Sequence, residues 1–267
     1  MGGFTMKRRV IFLWVALIVA GLLLPALPLA AQPPGQRYEY VTLWKVKPGK
    51  SGEFVELLKK VQQPVLDRLV TEGVVLAGGI DEAFVHIPGG ETHVTWWQVG
   101  SQSGIQRVLE ELAAEFGKLT PDETQKFAGT IESHHDLFLR HLIASVKPST
   151  GARPFHWIAT VKVQPGKGGE YEELWRKYRQ PGYEKAMAEG HLLAYSLAVE
   201  EVHTEDPGYR YLWLAFSDLA SREKVQAVLH AMRTEEERRR IEALFQGATD
   251  PSAHRDLLYR ALVYIAK

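Results

Sequence analysis

His134, Asp136 and Arg140 stand at even spacing late in the first half of the chain, and His254, Asp256 and Arg260 repeat the pattern in the second. On a β-strand such positions share one face. A histidine, a carboxylate and a guanidinium on one face can orient an anion or carry out acid–base chemistry. The architectural alternative has His and Asp capping the strand start and Arg pairing with a helix carboxylate. Asp136 and Arg140 are separated by about 13 Å along an extended strand, too far to pair with each other. These six residues are the candidate polar end of a ligand site. Trp96 and Trp213 recur in strands and are its candidate aromatic lining, with plain core as the competing role. His86 and His203 recur at the end of the second strand and are further candidates, although a turn hydrogen bond would also account for them. No metal site is expected. His134 and His135 are adjacent and point to opposite faces of a strand, and no His-x-His or His-x-x-x-His cluster supplies converging ligands.

Composition removes other chemistries. The 267 residues include no cysteine, so no thiolate nucleophile, disulfide, Cys-ligated zinc or iron–sulfur cluster can form. Lys+Arg and Asp+Glu both number 32, and this balance gives no reason to expect a nucleic-acid partner. Arg238-Arg239-Arg240 follows Glu235-Glu236-Glu237 and reads as a solvated helix turn. Neither a Gly-rich phosphate loop nor a Gly-x-Ser-x-Gly elbow is present.

The elements that must position these residues come in two copies. Leu43–Phe54 aligns with Thr160–Tyr171, Pro48 and Pro165 being 117 positions apart. The same offset pairs Gln63-Pro64 with Gln180-Pro181, Gly73 with Gly190, His86 with His203 and Trp96 with Trp213. At the end the offset is 120, matching His134 to His254. Each copy reads as βαββαβ. The first strands, Tyr40–Lys47 and Trp157–Val163, end at Pro-Gly. Helix one follows, with Pro64 or Pro181 expected to kink it. A hairpin joins strands two and three, and Thr120–Glu123 and Thr234–Glu237 are capping boxes opening a late helix. The last strands are expected at about 136–145 and 256–266. Five strand tryptophans, Trp44, Trp96, Trp97, Trp157 and Trp213, suggest an apolar sheet face that two copies close by pairing their sheets.

The N-terminus carries Lys7-Arg8-Arg9, an apolar run from Val10 to Leu24, and Ala30-Ala31 before a polar stretch. This is the order of a secretory signal peptide over residues 1–31, with cleavage expected after Ala30 or Ala31 and a periplasmic or secreted product free of the membrane. An uncleaved anchor over Val10–Ala31 is the alternative. The organisation expected is a signal peptide over 1–31, a first repeat over 38–147 and a second over 154–267.

The Val-Lys-Pro-Gly-Lys-x-x-Glu-Phe pattern at Val46–Phe54, echoed at Val163–Tyr171, resembles the dimeric α/β-barrel superfamily, and more narrowly its antibiotic-biosynthesis-monooxygenase-like and stress-responsive members. The resemblance spans essentially residues 38–267. It implies an α+β fold of two tandem ferredoxin-like units whose antiparallel sheets pair as an intramolecular barrel, monomeric as a pseudo-dimer or further dimerised. The superfamily hosts cofactor-free oxygenases, isomerases, haem-binding proteins and members of no known activity, so the fold does not select a function. The Asn/Trp/His set of the haem-degrading members has no counterpart, since the chain contains no asparagine. The function expected is binding of a small apolar or aromatic molecule without a cofactor. A cofactor-free monooxygenase or isomerase, and a haem-binding protein, are the alternatives.

Overall fold

The computed structural model describes residues 35–150, 153–204 and 208–266. The signal peptide expected over 1–31, and its anchor alternative, lie outside the described residues. In the first half β1 (Arg37–Val46), α1 (Ser51–Thr71), β2 (Val75–Ala83), β3 (His93–Val99), α2 (Gln102–Phe116), α3 (Pro121–Thr130) and β4 (Ile131–Val146) follow in order. A two-residue strand, β5 (Ser149–Thr150), leads to the second half: β6 (Phe155–Val163), α4 (Gly168–Tyr178), α5 (Gln180–Ala188), β7 (Ala194–Val202), β8 (Tyr209–Phe216), α6 (Leu219–Ala231), α7 (Glu235–Ala248) and β9 (Thr249–Ala266). The strands run β2-β3-β1-β4-β7-β8-β6-β9, and β9 pairs back onto β2. Each half thus has the order 2-3-1-4 of a ferredoxin-like unit. The two inter-half ladders, β4 with β7 and β9 with β2, close an eight-stranded antiparallel barrel. Closure leaves no exposed sheet edge among these eight strands.

Local chemistry explains the repeated motifs. Gly49 and Gly166 adopt φ of 76° and 79°, a left-handed turn that side-chain-bearing residues rarely take, so both Pro-Gly turns keep glycine. Both capping boxes form, with the Thr120 and Thr234 hydroxyls accepting from the Glu123 and Glu237 amides while each Glu carboxylate accepts from the Thr amide. The late helices run straight into the last strands. Those strands begin earlier than expected, at Ile131 and Thr249, because pairing with β1 and β6 continues down to Val46 and Val163.

Three expectations need correction. Strand two ends at Val202, next to His203 as expected, but at Ala83 in the first half, three positions before His86, and both histidines are exposed. The two prolines do not act alike: Pro64 sits within the continuous α1, whereas the helix of the second half is broken at Arg179, just before Pro181. The second half has Gly182 where the first has Val65, and a Cβ there would collide with the Leu229 side chain of α6. A glycine beside a proline removes helix propensity at that turn. The strand tryptophans also do not share one face. Trp96 and Trp213 point into the barrel, whereas Trp44, Trp97 and Trp157 pack on the helix side. Trp96 and Trp97 are adjacent, and alternation forces them apart.

Candidate ligand-binding site

Two kinds of space flank the sheet, one inside the barrel and one between its outer face and the helices. The lumen holds a cavity of about 80 Å³ walled by Val41, Val94, Leu137, Leu139, Trp96 and Trp213 among others. Two acid–histidine pairs are buried in it. Asp81 Oδ2 lies 2.7 Å from His156 Nδ1 and accepts the Trp96 indole N–H at 3.0 Å. Glu39 Oε2 lies 3.0 Å from His141 Nε2. Glu39 and His156 are equivalent positions of the two repeats, 117 apart, so the duplication has placed an acid in one copy and a base in the other. His156 sits edge-on to Trp96 and Trp213 and beside Tyr264, whose hydroxyl pKa is raised by burial and by the Asp81 charge. The Asp81–His156 pair joins the two halves, β2 to β6, whereas Glu39–His141 lies within the first.

The larger space lies outside the barrel in the second half. The outward side chains of β6 and β8, Trp157, Ala159, Val161, Leu212 and Leu214, form its floor. Helices α4, α5 and α7 roof it with Tyr171, Trp175, Tyr183 and Phe245, leaving a cavity of about 240 Å³. His254 and Asp256 of β9 stand at one end, with His254 Nε2 3.2 Å from Asp256 Oδ2. Asp256 Oδ1 accepts the Trp157 indole N–H at 2.9 Å, and the Arg222 guanidinium stacks 3.4 Å above the Trp157 ring. At the other end Arg179, freed by the helix break, bonds Glu242 at 3.2 Å and lies over the Phe245 ring. Burial pushes the Tyr171 hydroxyl up to about 12, so it is a neutral donor at physiological pH.

The first half fills the corresponding space. Phe54 and Phe127 stack at 5.7 Å, Phe116 packs on Phe127 at 5.4 Å, and Trp44 meets both Phe54 and Phe127 edge-on. His134 stacks on Trp44 at 4.8 Å instead of facing a cavity, and Asp136 lies beside Tyr40, whose hydroxyl burial and that carboxylate together hold at about 12. The structure therefore brings together His254, Asp256 and Trp157 but treats their first-half mates as surface and core. Arg140 Nε bonds Glu201 at 2.8 Å, and Arg260 lies 3.6 Å from Glu82. Both carboxylates come from strands of the other half, so the arginines stitch the inter-half ladders rather than enter the pocket. Trp96 and Trp213 belong to the lumen, and His86 and His203 are exposed in loops.

The sequence reading missed Arg179, Tyr171, Trp175 and Tyr183, and the buried pairs Asp81–His156 and Glu39–His141. Recurrence was the guide to candidates, and these are positions where the copies differ: Arg179 faces Gln62 in the alignment, Tyr171 faces Phe54, and His156 faces Glu39.

A haem does not fit this pocket. The Nε2 of His254 is turned to Asp256, and the aromatic floor and roof leave about 240 Å³. That is below the roughly 300–1,000 Å³ of sites for drug-sized molecules, which a macrocycle exceeds further. Among the described residues no group of three or more His, Cys, Asp or Glu is placed to hold a metal ion.

No family model matches the sequence, and no curated protein matches it. Solved structures do match. A candidate monooxygenase from Lactobacillus acidophilus superposes with a TM-score of 0.63 at 10% identity, covering 86% of this chain and 96% of its own. One from Fusobacterium nucleatum superposes with a TM-score of 0.64 at 12% identity, covering 87% and 94%. An anthrone oxidase-like protein gives 0.54 at 10% identity, covering 86% and 92%. At such identities the likeness concerns the fold, and by strand order, closure and these neighbours the chain is a dimeric α/β barrel built within one polypeptide from two tandem ferredoxin-like units.

Proposed function

We propose that this protein binds a small planar aromatic molecule between the sheet and the helices of its second half. The observation that carries this is the open pocket lined by Trp157, Tyr171, Trp175, Tyr183 and Phe245, where the first half packs Phe54, Phe116 and Phe127 against one another. A concave, mainly aromatic cavity with a few convergent polar groups is the common form of a small-molecule site. N-phenyl-1-naphthylamine, an uncharged aromatic probe that brightens in apolar surroundings, tests it. Trp157→Ala should weaken its binding about tenfold, the scale of a lost aromatic contact, with thermal unfolding checking that the fold is kept. Equal affinity of parent and variant would sink the reading.

The His254–Asp256 pair favours a second reading, cofactor-free oxygenation. Asp256 beside Nε2 leaves the other ring nitrogen able to take a proton from a phenol or enol. The resulting anion can react directly with dioxygen. With anthrone the balance is one substrate and one dioxygen giving one anthraquinone and one water. The fold neighbours described as candidate monooxygenases and as anthrone oxidase-like are in keeping with it. Oxygen uptake with anthrone should fall at least a hundredfold in His254→Ala, within the usual range for loss of an acid–base group; uptake no faster than in buffer by the parent would eliminate it.

Export is proposed on the N-terminal order of basic, apolar and small residues. Intact-mass analysis of the exported protein should show a start at Ala31 or Gln32, and a full-length membrane-bound product would contradict it.

A further inference from the structure

Beside the aromatic pocket lies a second cleft, of about 310 Å³, lined by Arg179, Arg233, Arg238, Arg239 and His230 together with Gln226 and Glu242. The two spaces share Arg179, Gln226 and Glu242, so they are adjacent, with the Arg179–Glu242 pair bordering both. The arginine run read from sequence as a solvated helix turn is in part the wall of this cleft. We propose that the pocket's ligand carries an anionic group, a carboxylate, sulfonate or phosphate, and that the arginine cleft seats it. This rests on the aromatic-pocket reading and adds the ligand's charge to it.

Three observations support the assignment. The first is uncompensated charge. Arg233 donates to the Tyr178 carbonyl, and Arg238 Nη1 donates to the carbonyls of His230 at 3.0 Å and Arg233 at 2.8 Å. Carbonyls fix a guanidinium in place without neutralising it. Arg179 and Arg239 are paired, with Glu242 and Glu235, so the cation held by carbonyls is that of Arg233 and Arg238, with Glu237 the acid whose charge acts on Arg233. Burial first, and then the neighbouring Arg179 charge, push the Arg233 pKa down against the opposing attraction of Glu237.

The second is divergence between the copies. The capping boxes at Thr120 and Thr234 set the local offset at 114. His230, Arg233, Arg238 and Arg239 then face Phe116, Leu119, Thr124 and Gln125, and Arg179 faces Gln62. Every charged or titratable group of the cleft is uncharged in the copy whose pocket is filled. The third is balance elsewhere: the whole chain has no net charge, so this concentration is local. Guanidinium groups are suited to planar oxyanions because they present paired donors.

The test compares two probes with one aromatic body. 1-Anilinonaphthalene-8-sulfonate carries a sulfonate, and N-phenyl-1-naphthylamine lacks it. The sulfonate should bind at least tenfold more tightly at low salt and lose that advantage as salt screens the cleft. Arg233→Gln and Arg238→Gln, which line the cleft and not the aromatic pocket, should each reduce sulfonate affinity severalfold while leaving the amine unchanged. Equal binding of the two probes, or arginine variants without effect on the sulfonate, overturns the anion subsite and leaves the aromatic pocket standing. Failure of both probes to bind overturns both.

Discussion

Asp81→Ala is expected to lower the free energy of unfolding by about 3–5 kcal/mol, the range for removing one partner of a buried pair. The His156 side chain is 0% exposed and that of Asp81 2%. Removing the carboxylate leaves two orphaned groups, His156 Nδ1 and the Trp96 indole N–H, in a lumen walled mainly by apolar side chains. Orphaning a buried donor is costlier than never having had the bond, because water cannot replace the partner. The effect should spread to barrel closure, since Asp81 lies in β2 and His156 in β6 of the other half. Asp81→Asn, which keeps an acceptor oxygen, should lose less. Urea denaturation measures both, and an Asp81→Ala midpoint equal to the parent's would show that the pair contributes nothing.

Gly79→Ala should destabilise by about 1–3 kcal/mol or more, as overpacking in a tight core does. Gly79 pairs with Trp96 on one side and Tyr264 on the other, on the seam where β2 meets β9. A Cβ there would stand 2.7 Å from the Val263 carbonyl oxygen and 2.9 Å from Trp96 Nε1. The first contact is with backbone and cannot be relieved by a rotamer change. The second drives the indole off Asp81. The two variants therefore act on one cluster, and their double mutant should lose less than the two single losses added together. An alanine variant unfolding at the parent's urea midpoint would mean that the seam opens freely.

Much of the fold was legible because duplication doubles every local signal. The Pro-Gly turns recur because a left-handed residue is required twice, and the capping boxes recur because two helices need the same amides satisfied. The site was less legible for the same reason. Residues alike in both copies, such as Gly73 and Gly190 or Trp96 and Trp213, report what both halves need in order to fold. Residues that differ, such as Arg179 against Gln62, border the open pocket, and no local pattern distinguishes such divergence from drift.

Sequence by itself determined the two βαββαβ units, the turns and caps that bound them, and the one-face alignment of His254 with Asp256, because these depend on neighbours within a few positions or on strand alternation. Tertiary structure alone decided that Trp96 and Trp213 fill the lumen while Trp157 floors a pocket, and that Arg140 and Arg260 are consumed by cross-half pairs. It also decided that Asp81 meets His156 across 75 positions. Each of these depends on which strands close the barrel and on how much volume the helix side chains leave above it, and both are sums over residues far apart in the chain.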